Sequence, residues 1–228
     1  MYKILSVGGS IVIPKTGFDI SFLKKFRKLI IEQVRLGDKF ILIVGGGATC
    51  REYQNALHAV TKQKNDALDW LGIYSTWFNA EFVRMMFGDF AYEKIIKDPK
   101  QAIKTKKKII ICGGERPGQS TDTVAVKFAQ NFQAKEIFNL SNIEYAFDKD
   151  PNRYKTAKKI ENIAWKDFRK IVGNTWSPGF SAPFDPIASK LAQRLSLQVS
   201  ILKGTNLPNL KRALQNKKFQ GTLIGKNI

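Results

Sequence analysis

Five short apolar runs are spread along the chain, and each ends at glycine or at small polar residues. The runs are rich in Ile, Val, Leu and Phe and span residues 2–7, 40–44, 109–112, 136–140 and 198–202. Continuous apolar runs of this length are typical of strands that are buried on both faces of a parallel sheet. The pattern therefore predicts five buried strands.

Segments with helical periodicity separate these runs. Residues 20–36 place apolar side chains three and four positions apart before Gly37, and residues 121–133 carry one apolar stripe. Residues 185–196 begin with Asp-Pro, an N-cap followed by proline at the first helical position. Alternating strands and helices predict a parallel sheet covered on both faces, with right-handed crossovers. Because the chain has no internal repeat and no Gly-, Ser- or Pro-rich linker, we expect one domain over residues 1–228.

Residues 66–92 form a further helical stretch that carries unusually many large side chains. These are Trp70, Tyr74, Trp77, Phe78, Phe82, Met85, Met86 and Phe87. One core-facing side of a helix does not have room for so many large side chains, so part of this surface could pack against another subunit. Packing within the core is an equally good explanation from the sequence alone.

The composition excludes several classes of protein. Hydrophobic residues make up 43% of the chain and charged residues 25%, which is enough for a sizeable core. No run of eighteen apolar residues occurs, and the glycines at 8 and 9 make the first segment a poor signal peptide. Cys50, Cys112 and the single histidine, His58, lack metal-ligand spacing, which disfavours a zinc site. We therefore expect a cytoplasmic protein without a membrane partner.

The charge balance is strongly basic. Thirty-eight Lys and Arg against nineteen Asp and Glu give a net charge of +19, and residues 151–228 hold 15 of the basic residues but only 3 of the acidic ones. A nucleic acid, a phosphorylated ligand or simply a solvated basic surface would suit this charge. No zinc-finger, leucine-zipper or RNP-type motif accompanies it, so a nucleic-acid partner is left open but not favoured.

Glycines follow three of the predicted strands, at positions 8, 9, 45, 46, 47, 113 and 114. The carboxyl ends of parallel strands meet at one edge of a sheet, where ligands bind. Glycine lets the backbone approach a ligand, and its N–H groups can hold phosphate oxygens. Three such turns favour a nucleotide ligand, although neither GxGxxG nor GxxxxGK[ST] is present. Ser120 or Thr121, before the predicted helix at 121–133, could bind an anion, but capping of that helix is the commoner role.

Six motifs in order carry a resemblance to a known family. They are GGS at 8–10, GGG at 45–47 with Arg51 and Tyr53 following, DWLG at 69–72, GGERPGQSTD at 113–122, SNIEYAFDKDP at 141–151 and DPIASK at 185–190. Over nearly its whole length, to Gly221-Thr222, the chain resembles the amino-acid kinase superfamily, and most closely its archaeal-type uridylate (UMP) kinases.

The resemblance implies a three-layer α/β/α kinase of pyrimidine biosynthesis that transfers the γ-phosphoryl group of ATP to UMP. It implies Mg²⁺ arriving with ATP, no separate metal ligands, and a homo-oligomer, usually a hexamer. The acceptor would lie mainly against residues 1–135 and ATP mainly against residues 136–228. The implied UMP-binding residues are Gly46, Asp69, Glu115, Arg116, Pro117, Gly118, Gln119, Ser120 and Thr121. The implied ATP-binding residues are Gly9, Ser10, Gly47, Arg51, Ser141, Asn142, Phe147 and Asp150. The implied catalytic residues are Gly9, Ser10, Arg51 and Asp185. If Gly46 lies against the UMP phosphate, Gly46→Ala should weaken UMP binding and leave the fold intact.

Some residues depart from the family pattern. Relatives usually show Asn-Val-Asp-Gly-Val-Tyr where this chain has Asn-Ile-Glu-Tyr-Ala-Phe at 142–147, and many carry a lysine in the first glycine loop. The departures predict a rebuilt donor site. Two alternatives therefore stay open: another acceptor or an oxyanion ligand on the same fold, or a non-catalytic nucleotide- or nucleic-acid-binding protein.

Overall fold

A computed structural model describes residues 1–175 and 182–226 of the chain. In these residues, seven strands form one sheet in the order β3-β2-β1-β4-β8-β9-β7, and two more form a small hairpin, β5-β6. The strands are β1 (Tyr2–Val7), β2 (Lys39–Val44), β3 (Ile109–Cys112), β4 (Glu136–Ser141), β5 (Ala146–Phe147), β6 (Lys159–Ile160), β7 (Asn162–Ala164), β8 (Gln198–Lys203) and β9 (Thr222–Gly225). Within the seven-stranded sheet all pairings are parallel except β8 with β9, which is antiparallel, as is the β5–β6 hairpin.

Helices cover both faces of the sheet. They are α1 (Gly9–Val12), α2 (Ile20–Arg35), α3 (Gly47–Val60), α4 (Asn65–Phe87), α5 (Thr121–Asn131), α6 (Trp165–Val172), α7 (Pro186–Arg194) and α8 (Leu207–Leu214). Side chains of α2, α4 and α8 join one buried cluster with alternate residues of the strands, such as Leu5 and Leu42. Side chains of α5, α6 and α7 join a second cluster with the opposite alternation, such as Ile4 and Ile41. The predicted three-layer α/β/α architecture is confirmed.

The element boundaries follow the apolar pattern closely. All five predicted strands are present within one residue of their predicted ends. Helix α2 starts at an N-cap, Asp19, whose carboxylate accepts a hydrogen bond from the Phe22 N–H at 2.9 Å. The helix predicted over 66–92 is shorter than expected, because Gly88 adopts a positive φ of 54° and a 3-10 turn over Gly88–Phe90 follows.

The last strand ties the hairpin to the sheet. β9 lies between β8 and β7, and its first residue, Thr222, accepts a hydrogen bond from the Ala146 N–H at 2.8 Å. The same hydroxyl donates to the carbonyl of Ile160. One buried threonine therefore contacts both strands of the hairpin. None of the helices in the described part of the chain has the length and apolar character needed to span a bilayer.

Candidate functional site

Two glycine turns meet backbone to backbone at the carboxyl edge of the sheet. β1 and β2 are neighbours, so the turn that starts α1 contacts the turn that starts α3. A Cβ on Gly9 would overlap the backbone of Gly47, which itself has a φ of +65°. The Gly45 N–H donates to the Val7 carbonyl at 3.0 Å. Glycine is required here for the close approach of the two turns, and the result is a rigid cradle over residues 8–10 and 45–47.

A buried asparagine holds one half of this cradle. Asn79, on α4, is completely buried and donates from Nδ2 to the carbonyls of Gly45 (3.0 Å) and Gly46 (2.9 Å). A Cβ on Gly46 would lie 2.5 Å from Cβ of Cys50 and 3.1 Å from Oγ of Ser75. A Cβ at Gly46 would force Cys50 or the backbone of α3 to shift, so Gly46→Ala should disturb this local packing as well as a bound phosphate, and whether the fold stays intact remains a prediction.

The segment after β3 is joined to α4 by three hydrogen bonds. Oδ2 of Asp69 accepts from the Gly118 N–H at 2.9 Å. Thr76 Oγ1 accepts from the Gly114 N–H at 2.7 Å, and Trp77 Nε1 donates to the Gly114 carbonyl at 2.7 Å. These contacts bring together Asp69 and the 115–121 segment, to which the family resemblance gives one predicted acceptor site.

Burial raises the pKa of the Asp69 carboxyl; the Gly118 N–H opposes this shift and the charge of Asp66 adds to it. Beside it, burial raises the pKa of the Cys50 thiol, with a hydrogen bond from Ser75 and the charge of Arg51 opposing. The thiol is thus within electrostatic reach of both Arg51 and Asp69. Arg51 is exposed on the second turn of α3.

The 115–121 segment is itself internally braced. Lys127 Nζ donates to Glu115 Oε2 at 2.5 Å and to Gln119 Oε1 at 2.6 Å, and Gln119 donates to Glu115 at 2.9 Å. Ser120 is the N-cap of α5, since its Oγ accepts from the Thr123 N–H at 3.3 Å. The capping role predicted for Ser120 is confirmed.

Two carboxylates come together between the cradle and the first turns of α5 and α7. Asp122 Oδ1 accepts from Ser6 Oγ at 2.9 Å, and Asp122 Oδ2 accepts from the Asp185 N–H at 3.3 Å. Asp185 is the N-cap of α7: its Oδ1 accepts from the Ala188 N–H at 2.8 Å, while its Oδ2 is buried without a hydrogen-bond partner among the described residues.

The surroundings of the Asp122 carboxyl disfavour its ionised form. Burial raises the pKa of Asp122 from 3.8 to about 6; the Ser6 hydrogen bond lowers it, and the neighbouring charge of Asp185 raises it again. A buried acid whose pKa lies near the working pH is typical of a reacting centre. The sequence predicted Asp185 but not Asp122, which belongs to the quoted motif 113–122 and there resembles an ordinary acid in the first turn of a helix.

The predicted donor residues lie on the next part of the same edge. Ser141 ends β4, and its carbonyl accepts from the Gly204 N–H at 2.8 Å. Phe147 is half-buried in the hairpin opposite Lys159. Asp150 is exposed and accepts from the Asn152 N–H at 2.9 Å, within the loop that connects the two strands of the hairpin. The structure gives Asp150 a turn-forming contact and gives Asn142 an exposed position.

Comparison with known proteins identifies the family. The model of the amino acid kinase family matches residues 1–203, which extends from the start of β1 to the end of β8. The chain belongs to the amino acid kinase family.

Within the amino acid kinase family, the chain is similar to archaeal uridylate kinases. The uridylate kinase of Methanocaldococcus jannaschii is 30% identical over 229 residues, which cover 98% of this chain and 99% of that protein. The uridylate kinase of Methanobrevibacter smithii is 28% identical over 99% of this chain and 100% of that protein. The crystal structure of the Archaeoglobus fulgidus uridylate kinase superposes with a TM-score of 0.83 at 25% identity, over 99% of this chain and 100% of that chain.

The amino acid kinase assignment explains why the two glycine turns, the 115–121 segment and Asp185 converge. Sequence reasoning missed three further residues of this centre: Ser6, Asn79 and Asp122. Asn79 lies within the aromatic stretch of α4, and one amide among large apolar side chains does not form a motif that sequence analysis could detect. Asp122 could have been found, because it and Asp185 are the acids nearest the starts of two helices that begin at the ligand-binding edge.

Proposed function

We propose that this protein is a UMP kinase that transfers the γ-phosphoryl group of ATP to UMP, giving UDP and ADP. One observation carries the proposal: the Asp69–Gly118 contact and the Asp122–Asp185 pair lie at one sheet edge beside the glycine cradle. Archaeal relatives that align over their whole length are named uridylate kinase. A cytoplasmic location is part of this proposal.

The reaction needs positioning more than covalent chemistry. The phosphate of UMP is already an anionic nucleophile, so no general base is needed. Backbone N–H groups of the cradle at 8–10 and 45–47 would contact the phosphates of ATP and would not have to reorganise during transfer. Asp69 would bind the UMP ribose, and segment 115–121 would enclose the acceptor. Residues 1–135 would thus bind mainly UMP, and residues 136–228 mainly ATP.

The two buried carboxylates fit a magnesium ion carried by the nucleotide. Asp185 Oδ2 has no hydrogen-bond partner in the described residues, and burial, with the charge of Asp185 adding to it, raises the pKa of Asp122; a cation bound between the two carboxylates would offset the cost of ionising them. Residues 1–175 and 182–226 contain no cluster of three or more potential metal ligands. Mg²⁺ is commonly held by one or two carboxylates plus substrate phosphates, where it neutralises charge on the transferred group.

We also propose that the protein forms a homo-oligomer, most simply a hexamer. Along α4 the side chains of Trp70, Tyr74, Phe78 and Met85 are exposed, Phe78 by 73%. Trp70 and Tyr74 stack at 5.8 Å between ring centroids, so these two exposed rings lie side by side. Apolar patches of this kind favour contact with another subunit. Phe78→Asp should then lower the molar mass measured by light scattering, whereas Glu52→Gln on exposed α3 should not.

A coupled assay with ATP, Mg²⁺ and a panel of nucleoside monophosphates tests the activity. UMP should be the best acceptor, and Asp122→Asn should abolish most of the turnover while Asp66→Asn leaves it intact. Turnover with a different monophosphate would favour the alternative acceptor. No turnover by a folded protein that binds UMP would favour the non-catalytic alternative.

A further inference from the structure

A cleft lies between helices α5, α6 and α7 and the 116–119 segment. It has a volume of about 840 Å³, which lies in the range of ordinary small-molecule sites. Residues 116–119 form one wall, α5 contributes Thr123 and Lys127, and α6 and α7 contribute the cationic side chains of Arg169, Lys190 and Arg194. Neither the glycine cradle nor the Asp122–Asp185 pair is part of this lining.

The lining contains five cationic side chains and no carboxylate. Lys127 pairs with Glu115 just outside the cleft, and Arg116 is 3.9 Å from the same carboxylate. Arg169, Lys190 and Arg194 have no acidic partner within 4 Å among the described residues. Cations gathered in a concave site repel each other, so an anion bound between them lowers the electrostatic free energy.

Two polar atoms of the lining also lack hydrogen-bond partners. Arg169 is held by neutral groups, since its guanidinium donates to Gln193 Oε1 at 3.0 Å and to Asn174 Oδ1 at 2.7 Å, but its Nε is buried and unpaired in the described structure. The hydroxyl of Thr123, a residue only 3% exposed, likewise has no hydrogen-bond partner among the described residues. Unsatisfied buried donors are uncommon and call for an explanation.

We propose that this cleft binds a small ligand that carries a polyphosphate group. Arginine and lysine are the side chains that bind phosphate most strongly, and a guanidinium can bind two phosphate oxygens at once. Ile187, which is 38% exposed, and Leu191 and Pro117 add apolar surface on which a nucleoside could rest. The ligand is therefore an inorganic polyphosphate or a nucleoside polyphosphate.

The cleft shares a wall with the proposed acceptor site. Residues 116–119 line the cleft, and the Gly118 N–H in this segment donates to Asp69. A ligand that shifts this segment changes the acceptor contact, and by thermodynamic linkage UMP then changes the affinity of the cleft ligand by the same factor. This coupling rests on the proposed function, whereas binding in the cleft does not.

Binding can be measured by isothermal titration with inorganic tripolyphosphate or CTP. The protein is first saturated with UMP and a non-hydrolysable ATP analogue, and their binding is recorded separately. One further equivalent of anion should bind per chain. The double variant Lys190→Gln/Arg194→Gln should weaken that binding at least about tenfold, because two charge-assisted contacts are lost. The matched variant Lys24→Gln/Lys28→Gln, on the exposed side of α2, removes the same charge elsewhere and should change it less than twofold.

The two probes distinguish the sources of the ligand. Tighter binding of CTP than of tripolyphosphate, with Leu191→Ser removing the difference, indicates a nucleoside polyphosphate; equal binding indicates inorganic polyphosphate. Should the double variant unfold, the single changes Lys190→Gln and Arg194→Gln give the same comparison. The proposal is overturned if no further equivalent binds, or if both double variants weaken binding equally, since general surface charge would then be responsible. Failure to bind UMP would contradict the kinase assignment and leave the cleft comparison intact.

Discussion

Removing the charge of Asp122 should stabilise the protein while it inactivates the enzyme. The pKa of this carboxyl rises from 3.8 to about 6 in the folded protein, chiefly because it is buried. A shift of about two units corresponds to about 3 kcal/mol at neutral pH. Asp122→Asn removes that cost; its single amide oxygen can accept from the Asp185 N–H, and its NH2 group can donate to Ser6 Oγ, a hydroxyl that can also accept.

The sign of the effect depends on pH. The folded protein holds the Asp122 proton more tightly than the unfolded chain does, so the associated stability is complete below about pH 4. It is lost as the pH rises through about 6. The gain from Asp122→Asn should therefore be about 3 kcal/mol at pH 7.5, or roughly 6–12 °C in Tm for a chain of this size, and close to zero at pH 4.

Urea and thermal unfolding at pH 4, 6 and 7.5 measure this dependence. Asp66→Asn, an exposed acid at the start of α4, serves as the control and should show no comparable gain. A gain of the same size at every pH would mean that packing, and not ionisation, is responsible. A loss of stability at pH 7.5 would refute the argument that the buried pair is strained.

Three further changes test the rest of the site. Asn79→Ala should lower the free energy of unfolding by about 2–4 kcal/mol, because it leaves the Gly45 carbonyl unpaired, removes one of the two donors to the Gly46 carbonyl and opens a small cavity; unchanged urea midpoints would contradict this. Asp69→Asn should weaken UMP binding by roughly tenfold or more and ATP binding far less, since a charge-assisted hydrogen bond is lost; equal effects in titrations of both nucleotides would remove Asp69 from the acceptor site. Tyr145→Gly combined with Phe147→Tyr should tighten ATP–Mg²⁺ binding, measured by the rise of Tm with ligand, if the altered loop weakens the donor site; no change would mean that the departures are neutral.

The sequence predicts the buried sheet well because burial leaves a simple pattern. β1, β2, β3, β4 and β8 are covered on both faces, so each is dominated by Ile, Val, Leu or Phe. β7 and β9 are only three and four residues long and include polar or half-exposed positions, so no run marks them. Helix α3 buries only Gly47 and Ala48, and a helix without an apolar stripe gives no periodicity to detect.

The site was predicted in part, for a related reason. Glycine turns after strands identify the ligand-binding edge, because the position of that edge follows from topology. Residues that act by side-chain contact across the fold, such as Asn79 with Gly45, are separated by tens of residues in sequence and leave no local pattern. The cationic cleft likewise depends on how α5, α6 and α7 pack, which the net charge of +19 does not reveal.

The position of β9 has a consequence for how the chain folds as it is synthesised. β7 pairs with the sheet through β9, and Thr222 of β9 contacts both strands of the hairpin that contains Phe147. Synthesis proceeds from the N-terminus, so the first half of the sheet and the acceptor segments can form while β9 is still untranslated. β7 and the hairpin can form these contacts with the sheet only after β9 has been synthesised. A nascent chain stalled before residue 222 should thus protect β1 to β4 from hydrogen exchange while leaving the hairpin open, so the proposed nucleotide sites mature in order, acceptor before donor.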